Sequence, residues 1–500
     1  MYQKWCIPFY LKQFKNKIKM SRFNTTSEGT KTVNLAGGEA YKQTPELELI
    51  SILLTSFAND QFYRSANDTF ERLKELVRIC DKKFVAQAAV YARTKFGMRS
   101  ITHVVASELA KHIGGEKWAK DFYSAIVYRP DDMMEILSYH TAQNGKIPNS
   151  IKKGFAKAFD KFDRYGLAKY RGEGKGFKLI DVVNLVHPTP IEKNADAINA
   201  LVKGELKSFD TWEVELSKAG QNATTDEEKA EFKKDVWVKL IKENKLKYFA
   251  LLRNLRNIIE QAPEVINEAL EMLCNEAQIK KSLVLPFRYL TAFEEIQKLT
   301  DGKIVRQTLM ALNKAVDIAI SNVPKFDGET LVVLDVSGSM QMGHKGTKSP
   351  HIIGALFSAV LAKSNNCDFM VFADNAQYHN INPMDSAITI SNSLRFASGG
   401  TNFHSIFQTA NKKYDRIIIL SDMQGWVGGH TPTREFANYK ASTGANPFVY
   451  SFDLCNYGSM QFPETNVFAL AGFSEKVFDT MKLMEQDKKA LVNEIKKLEF

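Results

Sequence analysis

The sequence predicts two unlike domains in one chain: a long α-helical array of the solenoid type, then a doubly wound α/β domain. Three observations carry this. Between about Thr44 and Ala319 apolar residues recur at three- and four-residue spacing, broken by Gly and Pro. From Phe326 onward the pattern changes to strand–helix alternation. At the change stands Thr330-Leu-Val-Val-Leu-Asp-Val-Ser-Gly-Ser-Met340, an apolar strand followed at once by an acid and two hydroxyls.

The helical segments follow in order. Glu46–Leu54 opens behind a Pro at a plausible first-turn position. Asn67–Ile79, Lys83–Phe96, Thr102–His112, Trp118–Val127, Asp131–Thr141, Pro148–Phe159 and Leu179–Asn184 each carry an apolar stripe. Gly97, Gly114-Gly115, Pro130, Gly145, Gly166, Pro188, Pro190, Gly204 and Gly220 mark the breaks. Helices of about 10–15 residues on short turns suggest HEAT-type repeats. No repeated signature accompanies the rhythm, which leaves an irregular multi-helix globule as the alternative. Asn322–Gly328 reads as the link, so that residues 25–325 form the helical domain and 326–500 the α/β domain. In the latter, Leu331–Leu334, Asp368–Ala373, Arg416–Leu420, Pro447–Phe452 and Asn466–Ala469 read as strands. Ile352–Ser364, Phe403–Ala410, Ser474–Glu485 and Lys488–Leu498 read as helices. Residues 1–24 are a basic extension left out of the fold; they make a poor signal peptide, and the native start is equally well placed at Met20.

Composition narrows the class. Apolar residues make up 44% and charged residues 25% of 500 positions, enough to bury sizeable cores. No run approaches the ~18 apolar residues of a membrane span. Five scattered cysteines without zinc spacing fit reduced thiols in a cytosolic, hence cytoplasmic, setting. Of 67 Lys and Arg and 57 Asp and Glu, 15 and 17 fall from Phe326 onward, leaving 52 against 40 before it. All the excess positive charge therefore lies in the helical segment, so the two domains are expected to meet different partners.

Asp335, Ser337 and Ser339 place three hard oxygens on one strand-to-helix turn, a donor set suited to Mg²⁺ or Mn²⁺. Arg416–Asp422 is a second apolar strand ending in an acid, and Gly399-Gly-Thr-Asn402 offers Thr401 from a glycine-rich loop. In an open parallel sheet ligands gather where strand carboxyl ends meet at a switch in strand order. The competing motifs fit less well. A haloacid-dehalogenase phosphatase wants a second Asp where Ser337 stands, and no Gly-x-Gly-x-x-Gly follows the strand. A solvated turn with Ser339 as a helix cap is the bland alternative. His404 is the nearest candidate base, with a structural role the plainer reading, so ligand binding is favoured over catalysis.

For a polyanion, Lys153, Lys157 and Lys161 lie on one helical face with Arg164 beside them. Lys169, Arg171, Lys175 and Lys178 follow in a glycine-rich stretch where amides can approach phosphates. His187 is a candidate for stacking or for a phosphate, and Phe155, Phe159, Phe162, Tyr165, Tyr170 and Phe177 interleave with the cations. Arg93 and Arg99 with His103 make a second cluster. The alternatives are a solvated lysine face, and core positions for Phe155, Phe159 and Phe162.

The five oxygen ligands resemble the metal-ion-dependent adhesion site of von Willebrand factor A domains, each matching a family position. A basic helical domain leading into an A domain is similar to the Ro autoantigen family, whose helical module is the TROVE domain. Arg99-Ser-Ile-Thr-His103, Lys169-Tyr170, Gly176-Phe177, Asp181, Leu185-Val-His187-Pro188, Ala250-Leu-Leu-Arg-Asn-Leu255 and Leu285-Pro-Phe-Arg288 resemble its segments. The chain departs in having Phe177 where the family has Trp, and in being one residue shorter between Tyr170 and Gly176. The resemblance implies a ring of helical repeats closed by the A domain. It implies small noncoding Y-like RNA on the outer basic face, single-stranded ends of misfolded RNA in the central cavity, and a role in RNA quality control without catalysis. It further implies that the cation's open position accepts a carboxylate from a protein partner, a nuclease among the candidates, and that one chain forms the ring as a monomer. A protein-interaction adaptor and a metal-dependent nuclease or phosphatase are the other classes.

Overall fold

The computed structural model describes residues 31–33, 39–42, 44–55, 66–172, 176–207, 212–282, 284, 286–300, 302–321, 323, 325–341, 349–365, 367–396, 399–425, 432–455, 459–461, 466–470, 481, 485 and 490–500. Residues 1–24 and Lys175 lie outside them, as does most of the helix expected over Ser474–Glu485.

Two short strands, β1 (Lys31–Val33) and β2 (Glu39–Lys42), precede the helices. The first half of the array runs α1 (Pro45–Thr55), α2 (Ala66–Ile79), α3 (Lys82–Lys95), α4 (Ser100–Leu109), α5 (Ala119–Ile126), α6 (Pro130–Asn144), α7 (Asn149–Ala158), α8 (Arg164–Lys169), α9 (Leu179–Val186) and α10 (Ala195–Val202). The second half is α11 (Trp212–Asn222), α12 (Asp226–Lys242), α13 (Tyr248–Gln261), α14 (Ile266–Leu273), α15 (Glu276–Ser282), α16 (Pro286–Gln297) and α17 (Lys303–Ile320). Caps explain several boundaries: the Asp81 side chain accepts from Phe84 N, Asp163 from Gly166 N, and Thr225 from Glu228 N. Helices pack on neighbours one to three along the chain, the local packing a solenoid requires. The tightest crossing, α5 on α7, depends on Gly154, where a Cβ would lie 2.5 Å from the Lys120 carbonyl oxygen.

The α/β domain contains β3 (Thr330–Asp335), α18 (Pro350–Asn365), β4 (Asp368–Phe372), β5 (Ala376–Tyr378), α19 (Ala387–Ser393), α20 (Phe403–Thr409), β6 (Arg416–Ser421), α21 (Pro432–Thr443), β7 (Phe448–Asp453), β8 (Ser459–Met460), β9 (Val467–Leu470) and α22 (Ala490–Lys496). Six strands form one sheet in the order β5-β4-β3-β6-β7-β9, parallel throughout except for the antiparallel edge strand β5. Strand order therefore reverses beside β3: its successor lies on one side and β6 on the other. Side chains alternate as a strand period of two demands. Val332 and Leu334 pack into the core shared with α18 and α19, whereas Leu331 and Val333 pack with Phe403, Phe407, Phe436 and Tyr439 of α20 and α21. Both faces are covered, so β3 is buried along its whole length.

The second domain touches both ends of the helical array. At the far end, Asp317 of α17 takes Lys363 Nζ at 2.7 Å and Ala387 N at 3.2 Å, and the Ser386 hydroxyl donates to Asn313 at 2.6 Å. At the near end, Gln87 Nε2 of α3 donates to the carbonyls of Lys496 and Leu498 at 2.8 and 2.9 Å. The Phe500 ring sits 5.9 Å from both Trp118 and Phe122. There too β2 pairs with β8, a junction the sequence pattern does not announce. The packing circuit is closed within one chain.

Gly154→Ala should overpack the α5–α7 crossing and cost about 1–3 kcal/mol. A urea midpoint that does not move would show that the crossing tolerates a methyl group.

Candidate functional site

The reversal beside β3 brings two acidic strand ends together. Leu334 pairs with Leu420, so Asp335 stands opposite Ser421 with Asp422 one residue beyond. Ser337 N donates to Asp335 Oδ1 at 2.9 Å and the Ser421 hydroxyl to Oδ2 at 2.6 Å. The Ser337 and Ser339 hydroxyls are 3.3 Å apart. Gly338 N donates to Gly399 O at 3.3 Å, tying this turn to the loop that carries Thr401. Asp374 braces that loop: its carboxylate accepts Gly400 N at 2.8 Å and its carbonyl accepts Asn402 Nδ2 at 2.9 Å. A Cβ at position 399 would lie 2.4 Å from Asp374 Oδ2, so any side chain there would push the bracing carboxylate aside.

Asp335, Ser337, Thr401 and Asp422 are buried, and Ser339 is half-buried at the mouth. Burial, and then the Asp422 charge, push the Asp335 carboxyl up to about 7. Burial raises Asp422 as well, although a hydrogen bond from Ser339 and the Gln424 N–H pull the other way. Asp422 Oδ2 is buried with no donor among the described residues. No cationic side chain among the described residues contributes to the electrostatics of either carboxylate. Nor do the described residues contain a cage of three or more His, Cys, Asp and Glu side chains. Two dry carboxylates, three hydroxyls and an orphaned oxygen fit a hard divalent cation held by Asp335, Ser337, Ser339, Thr401 and Asp422, directly or through water. Bound there, the cation would supply charge neutralisation and a Lewis-acidic open position. His404 is buried on α20. Sequence reasoning missed Ser421, Asp374 and the buried Asp453. The signal was available, since Phe372-Ala-Asp374 and Phe452-Asp453 repeat the pattern of an apolar strand ending in an acid.

The expected RNA residues divide into two groups. Lys153, Lys157, Arg164, Lys169, Lys178 and His187 are exposed on α7, α8 and the two ends of α9. Of these, Lys157 pairs with Asp121 at 2.7 Å, and Lys169 reaches the Tyr165 hydroxyl at 3.3 Å and Glu213 at 3.9 Å. His187 closes α9 in the left-handed region at φ 46°. Two others are diverted to structure. Lys161, although exposed as a residue, turns its ammonium onto the carbonyls of Ser124 and Val127 at the end of α5, where desolvation lowers it to about 8. Arg171 donates to Leu206 O at 2.6 Å. Phe155, Phe159 and Phe162 are core.

The second cluster is structural. Arg93 is only 5% exposed and grips Asp132 at 2.8 and 3.1 Å. Asp132, fully buried at the start of α6, also accepts Arg99 Nε at 3.1 Å and the backbone amides of Tyr128 and Arg129 at 2.9 Å. His103 lies between Asp132 and Glu135, at 3.2 and 3.1 Å, in contacts off the ideal hydrogen-bond line. These cations therefore neutralise Asp132. Pattern reading could not see that partner, which lies 39 residues from Arg93. Nearby, the exposed Tyr128 and the Arg129 guanidinium, 4.5 Å over the Tyr170 ring, add surface that sequence reading overlooked.

Asp132→Ala should cost about 3–5 kcal/mol by leaving Arg93 buried without a counter-charge. Burial would raise the Asp132 carboxyl, but His103 and Arg93 hold it far below the carboxylate range. Its contribution is thus present above the ordinary carboxylate value and lost as pH falls toward the native one. Burial would lower His103, but Asp132 and Glu135 raise it, so its contribution persists below about 6.5 and fades as pH climbs through the raised value. An acid-unfolding profile unaltered by the substitution would refute this assignment. The cation site has the opposite carboxylate sign: with raised native values, its metal-free stability is full below the ordinary carboxylate value and falls as pH climbs to about 7. Mg²⁺ or Mn²⁺ should therefore raise Tm more at pH 8 than at pH 5, and Asp335→Ala should abolish that difference.

The TROVE domain model matches residues 49–204 and 201–321, and the Ro60 vWA domain model matches 329–483. Telomerase protein component 1 of Mus musculus is 22% identical over 350 residues, and that of Rattus norvegicus 21% over 348. Each match covers 51% of this chain, which spans only 13% of those proteins. RNA-binding protein RO60 of Deinococcus radiodurans is 23% identical over 471 residues, covering 83% of this chain and 87% of that one. The crystal structure of the Deinococcus radiodurans RO (RSR) protein superposes with a TM-score of 0.62 at 19% identity, over 87% of this chain and 99% of that chain. With both halves matched in this order, the chain belongs to the TROVE domain family and carries a Ro60-type von Willebrand factor A domain behind its helical array.

Proposed function

We propose that this protein is the RNA-binding component of a ribonucleoprotein of the Ro type, and that its helical domain holds small structured noncoding RNA. The observation that carries the reading is the exposed set Lys153, Lys157, Arg164, Lys169, Lys178 and His187, on neighbouring helices of the domain that holds all the excess positive charge. Cations of this kind bind phosphates, and Tyr165, exposed beside Lys169, offers a stacking face. The name of the Deinococcus relative supports it. On this reading the protein works as a cytoplasmic monomer in RNA quality control, with single-stranded ends of misfolded RNA as a second class of ligand and no catalytic activity of its own.

A second role belongs to the A domain. The orphaned Asp422 oxygen and the oxygen ligand set support a resident Mg²⁺ or Mn²⁺ whose open position takes a carboxylate from a partner protein, a nuclease among the candidates. This adaptor role is compatible with RNA binding, because the two sites lie in different domains.

Replacing Lys153, Lys169 and Lys178 together by Gln should weaken binding of a structured RNA about tenfold or more. It should also flatten the log–log salt dependence by about 2.7 units, since each of the three lost phosphate contacts removes a little under one. Affinity and slope both equal to those of the unaltered protein would defeat the surface assignment. Asp335→Ala in the same assay should leave RNA affinity intact.

A further inference from the structure

The strand that ties the α/β domain to the front of the helical array ends beside the cation site. β8 pairs antiparallel with β2, Met460 opposite Tyr41 and Ser459 opposite Lys42, and β2 stands just ahead of α1. Gln461, the residue after β8, is only 3% exposed, and its Nε2 donates to the Met423 carbonyl at 2.6 Å. Met423 in turn follows Asp422 directly. One buried amide therefore spans the distance from the seam between the domains to the neighbour of an acidic ligand. Gly425 makes room for it: a Cβ there would lie 2.7 Å from Gln461 Oε1.

The turn that Gln461 holds is not one a methionine adopts unaided. Met423 sits at φ 58°, in the left-handed region that residues with a Cβ seldom enter. Such a conformation persists where the surroundings over-determine it. Here the Ser421 hydroxyl accepts Met423 N at 2.9 Å, Gln461 takes the carbonyl, and the side chain is buried in the core that holds Leu331, Val333 and Phe403.

Both carboxylates of the cation site depend on this turn. The Ser421 hydroxyl that accepts Met423 N donates its own proton to Asp335 Oδ2 at 2.6 Å. Asp422 Oδ1 accepts Gln424 N at 3.1 Å. The N–H groups of Met423 and Gln424 flank the strained φ. Relaxation to a negative value would re-aim one against the other, and the two bonds could not both survive.

We propose that Gln461 is a positioning residue for the cation site, and that it couples cation binding to the β2–β8 seam. Seated, it keeps the turn over 421–425 left-handed, and Asp335 and Asp422 face one crevice. An opened seam withdraws Gln461 and weakens the site. Linkage makes the effect reciprocal, so a bound cation favours the closed seam. The assignment rests on the cation-binding reading of the A domain, and adds to it a residue and a means by which cation supply reinforces closure of the chain on itself.

Calorimetric titration of the full chain with Mn²⁺ sets the reference. Gln461→Ala should weaken Mn²⁺ binding about tenfold or more, as loss of a group that orients a metal ligand does, and should change the electron paramagnetic resonance spectrum of the bound ion. Adding Met423→Gly to Gln461→Ala should restore affinity, because glycine takes a positive φ without support, while Tm falls with the lost side chain. A purely structural Gln461 would instead lose affinity and Tm together. In the unaltered protein, which needs no variant to fold, Mg²⁺ should slow hydrogen exchange in peptides spanning 39–42 and 459–461 about fivefold or more, and Asp335→Ala should remove that protection. Mn²⁺ affinity and spectrum unchanged in Gln461→Ala, or no recovery in the double variant, would sink the positioning role and leave the cation reading standing. Equal exchange at the seam with and without Mg²⁺ would overturn the coupling. An unaltered chain that binds no Mn²⁺ would overturn the cation reading and this proposal with it.

Discussion

The parallel pairing of β3 with β6 is the constraint on which the rest turns. It sets two strands that each end in an acid side by side at the reversal of strand order, and the covering helices keep water out. A dry pair of carboxylates is unfavourable by itself. The hydroxyls of Ser337, Ser339 and Ser421 and nearby backbone amides offset part of that cost, and one Asp422 oxygen is left over. The neutralising charge then has to come from outside the protein, as protons or as a divalent cation. The loop around Thr401 is built to the same end: Asp374 holds it, Gly399 lets it approach, and Gly338 joins it to the first strand's turn.

Closure is the second organising fact. The α/β domain does not hang from the end of the helical array. It is clamped to α17 through Asp317 and Asn313, and to α3 and α5 through Gln87, Trp118 and Phe122. Within the array, Asp132 gathers Arg93, Arg99 and His103 at the junction of α3, α4 and α6. Much of the positive charge near that junction is thereby spent on Asp132 and its neighbours Asp131 and Glu135. Lys153, Lys157, Arg164, Lys169 and Lys178 on α7 to α9 stay exposed instead.

Two domains, with the change of pattern near residue 326, were legible in the sequence because a helical stripe and an alternating strand leave different periods in the chain. That Asp335, Ser337, Ser339, Thr401 and Asp422 lie around one crevice was legible for a related reason: each sits at the end of an apolar strand, on the turn that follows it, or in a glycine-rich loop, where local sequence dictates local geometry. The edge strand β5, the β2–β8 pairing and the seat of Phe500 left no comparable signal. Each depends on a partner far away in the chain.

The cations show where that boundary falls. Charge and helical spacing alone determined that a basic face exists, and put Lys153 and Lys157 on it. Only the tertiary structure decided that Arg93 and His103 face Asp132, that Lys161 closes a helix and that Arg171 holds the Leu206 carbonyl, because burial and pairing are properties of neighbours brought together by folding.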